Sequence, residues 1–157
     1  MTPAPGTAAR ALELALLTAA RTSEVLGATW DEFDLDAAAW VIPGGRMKAH
    51  EEHVVHLSQQ AVDLLRAQQA LKVGSNVVFP SPLDPERPLS NMAMLTTLGR
   101  LGLRDRTTVH GLCRATFSTW ANETGAGRPD VVEACLAHDE RDRVRRAYNR
   151  ASFAQER

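Results

Sequence analysis

The clearest strand-like sequence in this chain lies in one stretch, and it limits the folds that the chain can adopt. Residues 39–42 (Ala-Trp-Val-Ile) and 53–57 (His-Val-Val-His-Leu) are rich in the β-branched and aromatic side chains that favour strands. The turn formers Pro43, Gly44 and Gly45 directly follow the first segment. The pattern predicts a small antiparallel sheet.

Helical patterns fill most of the remaining sequence. Ser58 is a suitable N-cap for a helix in which Val62, Leu65 and Leu71 would share the buried face. Helices are predicted over residues 7–20, 22–26, 59–72, 91–101, 111–123 and 129–137. A length of 157 residues suits one domain, so we expect a single α+β domain that is mainly helical.

Charge and cysteine content bound the classes of function. The formal net charge of -1 is unlike that of a generic nucleic-acid-binding domain. However, residues 1–97 carry 7 basic and 11 acidic side chains, whereas residues 98–157 carry 11 basic and 8 acidic ones. A polyanion would therefore meet the C-terminal half. Cys113 and Cys135 both lie in apolar helical patterns, which favours buried thiols and a cytoplasmic protein.

The chain has one tyrosine, Tyr148, and it lies among four arginines: Arg143, Arg145, Arg146 and Arg150. A phenol with a pKa of about 10 is a poor nucleophile by itself. Neighbouring guanidinium groups favour the phenolate and also attract phosphate. Taken alone, the pattern is more typical of a surface tyrosine whose hydroxyl is exposed to water.

Several other polar residues, scattered along the chain, fit the same chemistry. Two arginines could hold a phosphate in bidentate fashion, a lysine could donate a proton, and two histidines could assist a tyrosine nucleophile. Together these groups could attack a phosphodiester without a metal ion. The residues are Arg21, Lys48, His110, Arg114, His138 and Tyr148.

A zinc site is a weaker interpretation of the histidines near the strands. Alternation along a strand would point His53 away from His50 and His56, and no cysteine or carboxylate at ligand spacing completes a site. We therefore expect no metal and no cofactor.

The sequence resembles the catalytic domain of tyrosine recombinases, and among them the phage-type and genomic-island integrases. The matching segments occur in the family's order, cover nearly the whole chain, and place His138 and Tyr148 ten residues apart. They are residues 18–24, 46–48, 53–58, 109–117, 136–138 and 147–148.

The resemblance implies a role for each residue of the set. Arg21 and Arg114 would hold the non-bridging oxygens of the scissile phosphate, and Tyr148 would attack phosphorus to form a 3'-phosphotyrosyl link. Arg143, Arg145, Arg146 and Arg150 would contact DNA.

The other four roles concern proton transfer and support. Lys48 would protonate the departing 5'-oxygen, His110 would move a proton to or from Tyr148, and His138 would donate a hydrogen bond to the phosphate. Glu24 would support the first arginine.

The chain departs from the commoner family pattern in one spacing. Arg114 follows His110 by four positions, whereas the commoner pattern has a spacing of three. On an α-helix both spacings keep the two side chains on one face.

The resemblance also implies a fold, a partner and an assembly. The fold would be mainly helical with a small three-stranded antiparallel sheet, and residues 1–157 would be an integrase catalytic domain. Family members usually carry N-terminal DNA-binding domains and a helix beyond the tyrosine that docks on a neighbour, and both are expected to be absent here. The partner would be double-stranded DNA at attachment sites, bound by a homo-oligomer, a tetramer of the full-length protein. The protein, of bacterial or phage origin, would be cytoplasmic and associated with the nucleoid.

Two other functions fit the same residues. A type IB topoisomerase shares this chemistry but relaxes DNA alone, and a non-catalytic DNA-binding or assembly module could retain the fold. The six intact chemical positions argue against the non-catalytic module, and the integrase-like segments favour site-specific recombination over a topoisomerase.

Overall fold

The computed structural model describes residues 6–72 and 74–138. It confirms the mainly helical α+β class and the three-stranded antiparallel sheet. The helices are α1 (Thr7–Thr18), α2 (Thr22–Leu26), α3 (Gln59–Gln69), α4 (Ala93–Arg100), α5 (Thr116–Thr124) and α6 (Pro129–Cys135), with a π-helical segment at Gly111–Ala115. The strands are β1 (Phe33–Asp34), β2 (Ala39–Ile42) and β3 (His53–His56), and short 3-10 helices occupy Trp30–Glu32 and Gly44–Arg46.

The sheet has the order β1-β2-β3 and is antiparallel throughout. Trp40 of β2 pairs with Phe33 of β1 on one side and with Val55 of β3 on the other. The Phe33 and Trp40 rings stack with their centroids 5.1 Å apart, and Trp40 and Ile42 are fully buried. The alternating burial of β2 is the pattern of a strand with one face on a core.

The main core lies between α1, α3, α4 and the sheet. Leu14 of α1, Leu65 of α3 and Leu98 of α4 are all fully buried there. The Ser58 hydroxyl accepts a hydrogen bond from the Ala61 N–H at 3.3 Å, as predicted for the N-cap of α3. The prediction that Leu71 is buried was wrong, because α3 ends at Gln69 and the Leu71 side chain is exposed.

A second, smaller core joins α5 and α6 to the end of α1. Ala19, Ala121, Val132 and Leu136 form this cluster, and Phe117 packs against it. Ala19 follows α1 directly and has the left-handed backbone conformation, with φ 51°. The cluster therefore brings the backbone around Ala19 close to the backbone around Leu136.

None of the helices in residues 6–72 and 74–138 combines the length and the apolar character needed to cross a lipid bilayer.

Candidate active site

Arg21 lies in the short connection between α1 and α2 and is fixed there by Glu24. One oxygen of the Glu24 carboxylate accepts the Arg21 backbone N–H at 2.8 Å, and the other accepts Nη1 at 2.7 Å. The Glu24 residue is only 3% exposed. Arg21 Nη2 also donates to the carbonyl of Ala137 at 3.2 Å. The side chain is thus held from α2 and from the segment after α6.

Arg114 is buried, with 4% of its surface exposed. Its Nη1 donates to the Ala19 carbonyl at 2.5 Å, and its Nη2 donates to the Leu136 carbonyl at 2.6 Å. Within the described residues, the buried Nε has no hydrogen-bond partner. These two bonds fix the plane of the guanidinium. Because a guanidinium has five N–H donors, further donors remain for an anion.

The two arginines face one pocket of about 340 Å³. Burial lowers the pKa of Arg114, and the positive charge of Arg21 lowers it further, while Glu24 and Glu133 act in the opposite direction. A neighbouring like charge disfavours the charged form of a group, so Arg21 lies near enough to act on the Arg114 guanidinium. An anion placed between the two guanidinium groups would offset this effect. The pocket is lined by Ala20, Arg21, Thr22, Ser23, Asn91, Val109, His110 and Arg114.

The four-residue spacing between His110 and Arg114 coincides with the π-helical segment. The Thr116 N–H bonds to the carbonyl of Gly111, five residues earlier, and the Thr116 hydroxyl donates to the same carbonyl at 2.9 Å. A π-bulge is one extra residue accommodated in an α-helix, and such bulges are frequent at functional sites. The predicted helix over residues 111–123 is therefore not α-helical at its start, and the π-helical turn begins directly after His110 and includes Arg114.

Gly111 is needed for the close packing at this bulge. Its N–H donates to the Thr108 hydroxyl at 3.0 Å. A Cβ added at Gly111 would lie 2.8 Å from Thr107 Oγ1 and 3.2 Å from Thr108 Oγ1, which is too close for both side chains to stay in place. The threonines before the bulge and the glycine within it thus fit together as one unit.

His138 lies next to the carbonyls that hold the arginines. Its backbone N–H donates to the Glu133 carbonyl at 3.1 Å, and its Nδ1 lies 2.7 Å from Glu133 Oε2. The His138 side chain is 41% exposed. A carboxylate that accepts the Nδ1 proton leaves Nε2 as the nitrogen available to a ligand.

Lys48 is exposed in the connection between β2 and β3 and does not line the pocket. The structure therefore brings Arg21, His110 and Arg114 together around one pocket, with Glu24 behind Arg21 and His138 beside Ala137. Tyr148 and the arginines predicted to contact DNA, Arg143, Arg145, Arg146 and Arg150, lie outside the described residues. Their placement stays a prediction.

Several site components were not identified from the sequence. Asn91 lines the pocket, although its sequence position indicated only the start of a helix. The carbonyls of Ala19, Leu136 and Ala137 carry no signal in the sequence, because every residue has one. In residues 6–72 and 74–138, no group of three or more His, Cys, Asp or Glu side chains could hold a metal ion.

Comparison with known proteins supports the resemblance. The phage integrase family matches residues 2–155. Prophage integrase IntA of Escherichia coli K12 is 42% identical over 142 residues, covering 90% of this chain and 34% of that protein. The integrase of Enterobacteria phage P4 is 36% identical over 151 residues, covering 88% of this chain and 34% of that protein. The chain thus spans about a third of the length of these curated relatives.

Solved structures of recombinases share the fold. XerA recombinase superimposes with a TM-score of 0.66 at 18% identity, covering 85% of this chain and 54% of that one. The lambda integrase dimer bound to a COC' core site has a TM-score of 0.61 at 14% identity, covering 98% of this chain and 55% of that one. These structures confirm the predicted fold, and the family match confirms the resemblance seen in the sequence. The chain belongs to the phage integrase family.

Proposed function

We propose that this chain is the catalytic part of a site-specific recombinase that cleaves and rejoins DNA without a metal ion. The observation that carries the proposal is the convergence of Arg21 and Arg114 on one pocket, with Arg114 buried and held by two backbone carbonyls. Two fixed guanidinium groups can bind both non-bridging oxygens of a phosphodiester. They also stabilise the charge that builds on those oxygens as phosphorus is attacked.

The reaction is a transfer of the phosphoryl group to tyrosine. The Tyr148 oxygen attacks phosphorus and loses its proton, the bond from phosphorus to the 5'-oxygen breaks, and the DNA 3'-phosphate becomes linked to the tyrosine. Attack by a 5'-hydroxyl of another strand reverses these steps and restores the DNA backbone. The energy of the phosphodiester is conserved in the intermediate, so no cofactor is required.

Three further side chains handle protons and charge. Lys48 protonates the departing 5'-oxygen from the exposed loop between β2 and β3, which would face DNA bound over the pocket. His110, on the pocket wall, assists proton transfer at Tyr148. His138 donates a hydrogen bond from Nε2 to the phosphate, and its contact with Glu133 supports that tautomer.

The partner in this proposal is double-stranded DNA carrying attachment sites, bound by a homo-oligomer. Structural relatives support this: Tn1549 transposon integrase was solved with a circular intermediate DNA, and lambda integrase as a tetramer on a Holliday junction. We propose that four copies of the full-length protein act together in the cytoplasm. The arginines around Tyr148 would add phosphate contacts from the basic C-terminal half.

A plasmid assay in the presence of EDTA tests the proposed function. With paired attachment sites in the plasmid, we expect recombinant products from the full-length protein and none from Tyr148→Phe. Relaxation of supercoils without any need for the sites would instead indicate a topoisomerase. DNA binding without cleavage would indicate a non-catalytic module, and activity that returns only on adding zinc or magnesium would reject the metal-free mechanism.

A further inference from the structure

A partly buried ion-pair network joins the loop that carries Lys48 to the start of the helix that follows Arg21. Arg46 Nη1 contacts both oxygens of the Glu32 carboxylate, with Oε2 at 2.5 Å, and Arg46 Nη2 donates to the backbone carbonyl of Glu24 at 2.5 Å. Glu32 is 7% exposed and also accepts the Trp40 Nε1–H at 2.9 Å. The network therefore connects the sheet, the 3-10 helix before it and α2.

The loop around Lys48 is anchored on its N-terminal side. The Arg46 N–H bonds to the Pro43 carbonyl at 2.9 Å, which closes the 3-10 turn, and the next residue, Met47, is 4% exposed and belongs to the main core. Gly44 lets the two sides of the loop approach each other, because a Cβ there would lie 2.7 Å from the His50 carbonyl oxygen. The Lys48 side chain thus extends from a backbone that is anchored at Arg46 and Met47.

At the α2 end of the network, Glu24 contacts both Arg21 and Arg46. The side chain of Glu24 binds Arg21, and its backbone carbonyl binds Arg46. Close packing continues at Gly27, where a Cβ would lie 3.0 Å from Arg46 Nη2. A shift of the Arg46 side chain would therefore move the N-terminal side of the Lys48 loop relative to Arg21.

We propose that Arg46 and Glu32 are positioning residues. They hold Lys48 at a fixed position relative to Arg21, so that both side chains can reach the scissile phosphate. The inference rests on the proposed function, in which Lys48 is the general acid. In this role the network positions Lys48, so its loss slows the departure of the 5'-oxygen, whereas the Glu24 side chain still holds Arg21 for phosphate binding. A purely structural pair would instead affect every step of the reaction.

A substrate with sulfur in place of the bridging 5'-oxygen separates these two roles, because a thiolate leaves without needing a proton. The informative variant is Arg46→Lys, which keeps the charge and loses the planar fork that reaches Glu32 and Glu24 together. We expect a loss of roughly 10- to 100-fold in single-turnover cleavage of the oxygen substrate, the effect typical of a small misplacement. The sulfur substrate should restore most of the rate.

Three further variants make the test specific. Glu32→Gln keeps an acceptor for Trp40 Nε1 and removes the charge that binds Arg46, so it should show the same rescue even where Arg46→Lys folds poorly. Arg66→Lys is the matched control, since Arg66 forms an exposed ion pair with Asp36 at 3.0 Å and should keep the full rate. The double variant Arg46→Lys/Lys48→Ala should be no slower than Lys48→Ala.

The outcomes separate this inference from the proposed function. If the sulfur substrate rescues Lys48→Ala but rescues neither Arg46→Lys nor Glu32→Gln, the positioning role is rejected and the acid role of Lys48 stands. Full activity of both Arg46→Lys and Glu32→Gln on the oxygen substrate would also reject it. Failure of sulfur to rescue Lys48→Ala would reject the acid role of Lys48 and, with it, this inference.

Discussion

The guanidinium of Arg114 donates a hydrogen bond to the carbonyl of Ala19, 95 residues earlier in the chain, at 2.5 Å. The Ala19 backbone is left-handed, which turns its carbonyl out of the line of α1. A second bond to Leu136 fixes the plane of the same guanidinium. Arg114 is therefore oriented by the backbone before any substrate is present, which is the preorganisation that electrostatic catalysis requires.

Replacing Arg114 with lysine should impair both stability and cleavage. A lysine ammonium cannot reach both carbonyls in one plane, so at least one buried acceptor would be left unsatisfied, at about 1–3 kcal/mol. Thermal unfolding should show this loss, together with a drop in cleavage of at least about 100-fold. Arg100→Lys, on the exposed end of α4, is the control and should change neither. A fully active Arg114→Lys would contradict the assignment.

Gly111→Ala should disturb the π-bulge. Its Cβ would lie 2.8 Å from Thr107 Oγ1, and we expect a destabilisation of about 1–3 kcal/mol from this overpacking, measured by chemical denaturation. Cleavage should fall as well, because the π-helical turn begins directly after His110 and includes Arg114. Adding Thr107→Ala removes the closest contact and should recover part of the stability. Gly45→Ala is the matched control, since nothing lies within 4 Å of a Cβ there, and equal losses in both variants would refute the packing argument.

The pocket should bind a simple anion. If Arg21 and Arg114 repel each other across it, sulfate should raise the melting temperature of the protein, by an amount equivalent to about 2.7 kcal/mol at 100 times Kd. Sodium chloride at equal ionic strength corrects for general salt effects. The sulfate-specific shift should shrink in Arg21→Gln. An equal sulfate-specific shift in the unchanged protein and in Arg21→Gln would show that sulfate binds outside this pocket.

Cys113 should be unreactive in the folded protein. Burial raises the pKa of its thiol from 9.0 to about 11, so the folded state favours the neutral form. The corresponding stability is fully present below pH 9.0 and is lost as the pH rises towards about 11. Alkylation at pH 8 should therefore modify the half-buried Cys135 first and Cys113 only on unfolding. Faster alkylation of Cys113 would contradict its burial.

The elements that could be predicted from sequence are those with a local signal. The strand at Ala39–Ile42 and the helix capped by Ser58 follow from side-chain pattern and capping chemistry. Strand β1 has only two residues, too few for a periodic pattern, and it was expected only from the family resemblance. The unusual His110 to Arg114 spacing was visible in the sequence, but the bond from Thr116 to Gly111 that absorbs it depends on packing of the threonines around the bulge.

The residue types of the candidate site were predictable, as was the support that Glu24 gives to Arg21, but the backbone supports were not. Arg21 and Arg114 stand out because the segments that contain them occur in the order of the family, and the structure brings both residues to one pocket. Their carbonyl partners and the link from Arg46 to Glu24 are long-range backbone contacts without a sequence pattern.

Identification of the amino acid that becomes linked to DNA tests the central claim most directly. A suicide substrate traps the cleaved complex, and trypsin cleavage after Arg146 and Arg150 should release residues 147–150 carrying the DNA 3'-phosphate on Tyr148. Tyr148→Phe should bind the same DNA with unchanged affinity and form no adduct. A linkage to another residue, a linkage through a 5'-phosphate, or an undiminished adduct in Tyr148→Phe would contradict the proposed mechanism.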